Sequence, residues 1–319
     1  MAALAALAQS GGQLLLEFSA LDTRMTTSTG AKSITHEHLL GVVASEAAAR
    51  PLSGPLRLLD VGCGDGALLE YFTRTLTGRS PDRPPELYGF DVRDHGVQAD
   101  GFMDATRTHL AATHPDVPWE SRISSITQAD PWPYEAESFD VVMSNQVLEH
   151  VDDHDRLFAE TRRVLRNGGY AVHLFPLKHY VWEGHLHLPF VHRIKYFDLS
   201  RAYIRTLSRL GLGTYGFHHR EMGMTLDEFA ERHADYMLHY TNYLTYREVM
   251  RIAKRHGLRP SFRYTKEFYQ LKLRTLTGRA PKGLYRRQSA VAEWLAFMVL
   301  RHVSSITLFL QKRETYRSR

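Results

Sequence analysis

The feature that most constrains this chain is a glycine-rich turn set between an apolar run and an amphipathic segment. Leu56–Val61 reads as a buried strand, Gly62-Cys63-Gly64-Asp65-Gly66 as a tight turn, and Ala67–Leu76 as a helix. A strand that feeds a helix through glycines is a unit of parallel α/β architecture. The same alternation continues on either side. His36–Ala49 and Gly101–His114 have helical spacing, and Leu87–Val92, Ser121–Thr127 and Phe139–Ser144 read as strands. Asp153–Leu165 then reads as a helix, Asn167-Gly168-Gly169 as a turn, and Tyr170–Phe175 as a fifth strand stopped by Pro176.

After Pro176 the alternation lapses. Residues 177–242 are rich in His, Tyr and Arg and show no strand, after which Tyr246–His256 (helix), Arg259–Tyr264 (strand), a helical stretch near Ala290–His302 and Ser304–Gln311 (strand) complete the pattern. The expected fold is a Rossmann-like α/β sheet of seven mostly parallel strands with helices on both faces, and a substrate cap inserted after strand five. The expected divisions are an N-terminal arm (1–35), a ligand-binding core (36–176), a cap (177–242), and a C-terminal part that completes the sheet (243–319) and carries a basic insertion with an apolar helix. The Ala/Leu-rich start lacks a basic flank and is broken by Gln9-Ser10-Gly11-Gly12, so it reads as a short helix or arm, not a targeting signal. The apolar run 290–300 contains Glu293 and is too short to cross a bilayer.

Cys63 is the one cysteine in the chain, which excludes an intramolecular disulfide and fits a reducing, cytoplasmic compartment. The net charge of +5 is unevenly spread: Arg247–Arg319 holds eighteen Lys/Arg against Glu248, Glu267, Glu293 and Glu314. Such a segment attracts nucleic acid, anionic lipid or a phosphorylated substrate, or is a plain solvated surface.

The glycine turn alone leaves two cofactors open, because Gly62, Gly64 and Ala67 also satisfy the dinucleotide pattern G-x-G-x-x-A. Asp60, just before the first glycine, is placed to orient the ammonium end of an amino-acid ligand. Asp91, closing the second strand, is placed to accept hydrogen bonds from ribose hydroxyls, a role shared with nicotinamide enzymes. Further on stand Gln128-Ala129-Asp130-Pro131-Trp132-Pro133-Tyr134, Ser138-Phe139-Asp140, Leu148-Glu149-His150-Val151 and Leu165-Arg166-Asn167-Gly168-Gly169.

Together these motifs resemble the class I S-adenosylmethionine-dependent methyltransferases, in the branch that modifies small molecules, sugars and quinones. The resemblance covers about residues 36–176, with a weaker echo in the last two strands. It implies S-adenosylmethionine as cofactor, with Gly62, Cys63, Gly64 and Gly66 around the methionine part, Asp60 beside them and Asp91 on the ribose. Gln128 stands where the family has an Asp beside the adenine amino group, so that contact passes to its amide oxygen or to Ala129 and Asp130. Asn145 is implied near the methionyl moiety. Cys63 reads as a packing residue and Trp132 as a buried loop anchor.

Methyl transfer to a hydroxyl needs acceptor alignment and a base. His150 is the first candidate, either as base or as a brace for its loop. The insertion offers His179 and His185, with Trp182, Glu183 and His187 beside them. Their spacing is not a zinc signature, so substrate recognition is preferred to metal binding. The leading reading is O-methylation of a small hydroxylated acceptor (a sugar, glycolipid or secondary metabolite). C- or N-methylation, or a non-catalytic binding protein, are the alternatives. For the apolar helix at 290–300, core burial is the default reading. A homodimer contact or peripheral membrane contact is held open, and nucleic acid ranks below both.

Overall fold

The computed structural model describes residues 31–50, 54–80, 82–94, 101–279, 285 and 289–312. Of the expected arm (1–35), residues 1–30 lie outside them, and Ile34 and Thr35 belong to the first helix. Helix α1 (Ile34–Ala49) opens on Ser33, whose hydroxyl accepts from the His36 N–H. There follow β1 (Arg57–Val61), α2 (Ala67–Arg79), β2 (Glu86–Val92), α3 (Phe102–Thr113), the single turn α4 (Trp119–Arg122), β3 (Ile123–Ile126), β4 (Phe139–Asn145), α5 (His154–Val164) and β5 (Leu165–Phe175). The inserted segment supplies α6 (Phe197–Arg209), α7 (Tyr215–Met222) and α8 (Leu226–His239). The chain returns through α9 (Tyr246–Arg255), β6 (Leu258–Ser261), α10 (Thr265–Leu276), α11 (Ala290–Leu300) and β7 (Ile306–Lys312).

The seven strands form one sheet in the order β3-β2-β1-β4-β5-β7-β6. All neighbours from β3 to β5 are parallel, while β7 runs antiparallel to both β5 and β6. The order reverses direction at β1–β4, so the carboxyl ends of these two strands flank a crevice, the usual ligand position in an open α/β sheet.

Both faces of the sheet are covered, which is why its strands are apolar without alternation. Leu58, Val141, Met143, Val172 and Phe309 point to one side, into a core shared with α1, α2, α3 and α10. Leu59, Val142, Ala171, Leu308 and Leu310 point to the other, against α5, α9 and Phe297 of α11. The cap has a small core of its own, with Leu186, Leu188, Val191, Ile204, Phe229, Ala230, Ala234 and Met237 buried together.

Several readings need correction. The fifth strand begins at Leu165, earlier than expected, and the Asn-Gly-Gly turn lies within it as an irregularity where the register against β4 shifts between Phe139 and Val141. The third strand is shorter than expected because Trp119–Arg122 forms a turn of helix. Helix α10 is not among the expected elements; it starts from Tyr264 at φ 71 with no capping side chain, so Glu267 in its first turn is the one start signal there. The default of core burial for 290–300 fails: of α11, Phe297 alone is fully buried, while Val291, Trp294, Leu295 and Val299 face outward.

Candidate active site

The turn after β1 brings Gly62 to the crevice through backbone conformation, while Gly64 and Gly66 are not among the residues lining it. Gly62 has φ +70, and a Cβ there would stand 2.6 Å from Val147 Cγ2, so the loop after β4 can close on it only while the position is glycine. Gly64 and Gly66 also have positive φ, and Gly66 is the residue that caps α2. The N–H groups of Gly62 and Cys63 donate to Phe90 O at 2.9 and 3.1 Å, tying the turn to β2. At the end of β2, Asp91 accepts from the Gly64 N–H (2.8 Å) and from its own neighbour Val92 (2.8 Å). One carboxylate thus sets the turn and faces the crevice.

That crevice is a cavity of about 670 Å³. Gly62, Asp91, Gln128, Ala129, Asp130, Asn145 and His150 line it together, so most of the residues singled out from sequence converge there. Asp60 and Cys63 lie behind the wall, both buried. Burial, and then the neighbouring Asp91, pushes the Asp60 carboxyl well above the usual range. Burial, followed by Asp60 and Asp91, raises the Cys63 thiol as well, which keeps it protonated and inert. Asp60 Oδ1 and Asn145 Oδ1 are buried with no hydrogen-bond partner, and buried acceptors in that state invite a donor from a ligand. Asn145 Nδ2 is fixed on Thr35 Oγ1 at 3.0 Å.

On the adenine side expected from the family, the Gln128 N–H donates to Asp94 Oδ1 (2.9 Å), and Asp130 Oδ2 accepts from the Thr127 N–H (2.7 Å). Asp94 lines the cavity and was missed, although it follows Asp91 by one turn of loop. Trp132 is buried at 8% exposure with its ring centroid 5.0 Å from that of Phe90, an anchor for this loop as well as part of the wall.

The remaining wall comes from the loop after β4 and from the cap. Gln146 takes φ 57, and a 3₁₀ turn at Leu148–His150 follows. His150 Nδ1 lies 2.7 Å from Tyr240 O, which fixes the proton on that nitrogen in the neutral ring and leaves Nε2 as the basic one. The His185 ring stands 5.2 Å from that of His150, and Tyr236 lies 6.1 Å from His150 and 5.3 Å from His185.

His185 rests on Glu183, a fully buried carboxylate that accepts from His185 Nδ1 (2.6 Å), Leu186 N (2.7 Å), Tyr243 Oη (2.8 Å), His185 N (2.9 Å) and Tyr180 Oη (3.2 Å). Burial opposes charge on Glu183, but the His185 cation and these donors outweigh it and hold the group down at about 2. Burial likewise works against the His185 cation, and the Glu183 carboxylate overcomes it, so the imidazole is raised. Glu149 behaves in the opposite way. Burial dominates and lifts it to about 8, and its Oε2 has no partner.

The third sequence candidate, His179, falls elsewhere. It is not among the cavity residues; its Nε2 accepts from the Tyr246 N–H (3.1 Å) at the start of α9, and its ring contacts His302. This is a helix-end role, satisfying one of the donors that every helix start leaves open. The Glu183-His185-His187 metal option is also not built: among the described residues no three His, Cys, Asp or Glu are grouped to hold an ion. Among them, too, no helix is long and apolar enough to cross a membrane. The sequence reading weighs Glu183 as a metal ligand, not as the partner of a histidine, and does not single out Tyr236, Tyr240 and Tyr243. Their link to the loop after β4 is tertiary, and the signal in the sequence is no more than the unusual Glu-Gly-His inside an aromatic-rich insertion.

A strand order that turns at β1–β4, an antiparallel β7, and a glycine turn locked to an acidic β2 end define an S-adenosylmethionine-type methyltransferase core. The model of the methyltransferase domain family matches residues 14–260, and the chain belongs to that family, among the class I S-adenosylmethionine-dependent methyltransferases. It is 32% identical over 121 residues to a ubiquinone biosynthesis O-methyltransferase of Bradyrhizobium sp. (strain ORS 278), covering 38% of this chain and 40% of that one. To the enzyme of the same description from Paramagnetospirillum magneticum it is 36% identical over 124 residues, covering 39% and 41%. The chain therefore spans about two-fifths of the length of the curated relatives it matches. Among solved structures it is similar to the YcgJ protein of Bacillus subtilis, at 15% identity and TM-score 0.42, over 87% of this chain and all of that one.

Proposed function

We propose that the chain methylates a hydroxyl of a small acceptor, using S-adenosylmethionine held in the crevice at the ends of β1 and β4. The observation that carries this reading is the shared cavity: His150 lines the same wall system as Gly62, Asp91, Gln128 and Asn145, so a base stands beside the cofactor site. Asp91 would hold the ribose, Gln128 and Asp130 the adenine edge, and the orphaned Asn145 Oδ1 in the cavity wall the ammonium, with Asp60 behind it. S-adenosylmethionine supplies a methyl on a sulfonium leaving group, which needs no enzyme nucleophile. The protein's share is alignment, exclusion of water and proton removal.

In this reading His150 Nε2 takes the proton of the acceptor hydroxyl, while the Tyr240 carbonyl keeps the ring oriented through Nδ1. His185, whose proton Glu183 helps to hold, is not among the residues lining the cavity and bears on the base through its ring, 5.2 Å from that of His150, while Tyr236 closes the wall on the cap side. The names of the matched relatives, O-methyltransferases of ubiquinone biosynthesis, support oxygen as the acceptor atom. Within this scheme His179 has no part.

Calorimetry with S-adenosylmethionine and with NAD tests the cofactor half, and heat from NAD alone overturns it. For the acceptor half, a metabolite screen identifies a product heavier by one methylene. His150→Ala then lowers kcat roughly 10²–10⁴-fold with cofactor affinity retained. Unchanged turnover in that variant removes His150 as the base.

A further inference from the structure

Helices α10 and α11 pack together and present an apolar face that is exposed among the described residues. On α11, Val291, Trp294, Leu295 and Val299 recur at helical spacing with exposures of 66, 52, 56 and 68%, and α10 adds Leu273 and Leu276. The opposite side of α11 is firmly seated, with the Phe297 ring stacked 4.0 Å from that of Phe262. The helix is thus not a loose element but a rigid one that turns large side chains to the outside.

Its surroundings carry one sign of charge. Among the described residues, Lys266, Arg274, Arg279 and Arg301 are at least partly exposed there against Glu293, while Lys272 is buried. Glu267 is fully buried, and Glu293 is half-buried beside Arg263 and Lys266. An apolar face carrying a tryptophan, framed by cations, is the pattern of a segment that lies in a membrane interface with its basic residues on anionic headgroups. A second copy of the chain is the poorer occupant, since self-association would bring two such cationic segments together.

We propose that this α10–α11 face docks on an anionic membrane surface. The far end of α11 leads directly to the crevice. Ser305, in the turn after it, accepts from Gln146 Nε2 at 2.8 Å, and Gln146 lines the cavity. The Val181 N–H donates to His302 O at 3.0 Å, joining the same turn to the base of the cap. A docked molecule would hold its cavity within reach of the lipid boundary, whatever hydroxyl it modifies.

The test is co-sedimentation of the full chain with vesicles of phosphatidylglycerol and phosphatidylcholine, and with phosphatidylcholine alone. The expected result is binding to the anionic vesicles, at least tenfold weaker on the neutral ones and in high salt. The double variant Trp294→Ser, Leu295→Ser should lose at least tenfold in vesicle binding, with its circular dichroism melt and S-adenosylmethionine affinity unchanged. Val291→Asp provides a second, independent lesion of the same face. Absence of binding to anionic vesicles, or binding that both lesions leave intact, overturns the proposal. So does a concentration-dependent dimer in sedimentation velocity that these lesions dissolve while vesicles go unbound.

Discussion

The two walls of the cavity are made in different ways. The cofactor wall is backbone: a turn whose shape depends on positive φ at Gly62, Gly64 and Gly66, fastened by N–H groups to Phe90 O and to Asp91. The cap wall is side chain: Tyr236 and His150 face the cavity, and His185, Glu183, Tyr243 and Glu149 back them across long stretches of sequence. A backbone-built site is rigid because secondary structure enforces it. A side-chain site must be held by a buried network, and here one ionised carboxylate with five donors does the holding. Damage to the first wall should therefore remove cofactor binding, and damage to the second should spare it and act on turnover.

The largest effect is expected from Asp91→Ala. The variant removes the acceptor of the Gly64 N–H and the carboxylate proposed for the ribose, charged hydrogen bonds worth about 1.5–3 kcal/mol each. Loss of about 2–3 kcal/mol corresponds to a rise of roughly 30–150-fold in the Kd for S-adenosylmethionine, read by calorimetry. A change below threefold would mean that the wall is held by backbone geometry alone and that Asp91 has no ligand role.

Next comes Glu183→Gln, aimed at the other wall. The amide keeps the shape but not the charge that stabilises the His185 cation. We expect kcat to fall about ten- to hundredfold, short of the full contribution of a general base, with cofactor Kd within about twofold. Because Glu183 raises the imidazole, the variant releases the His185 proton at lower pH, so the alkaline limb of the pH–rate profile should move toward acid. An equal loss in cofactor affinity would show that the two walls are one unit after all.

The same contrast explains what could be read from the sequence. Strand–helix alternation, the glycine turn and the acidic end of β2 are local signals, and they located the core and the residues lining the cofactor wall. His150 was visible because it closes a contiguous motif. His179 and His185 are alike in the sequence, both histidines in an aromatic insertion; the distinction between a helix-end acceptor and the solvent-facing partner of a buried carboxylate depends on α9 and Tyr243, which tertiary structure alone brings near. Helix α11 misled for a related reason. Apolar residues all round predict burial, but burial requires a partner surface, and among the described residues Phe297 is the one side chain of α11 that is fully buried.

The smallest effect is a stability difference that separates the two carboxylates of the cap wall. Glu183 is ionised because donors surround it; Glu149, fully buried with an unpartnered oxygen, is held up at about 8. An unfolded Glu titrates at its ordinary value of 4.5. Below that pH both states keep the proton, and the native state has the full benefit of a neutral Glu149. As pH rises from there to about 8 the unfolded chain releases a proton that the folded one retains, so native stability falls through this window and levels off beyond it. Glu149→Gln preserves the neutral shape and abolishes the titration. The melting temperature of the variant minus that of the parent should therefore increase from pH 5 to pH 8, by about 2–6 °C if one or two kcal/mol are at stake. A difference that stays flat across the range would mean that Glu149 ionises in the folded protein, and that the cap wall carries two buried charges where the structure assigns one.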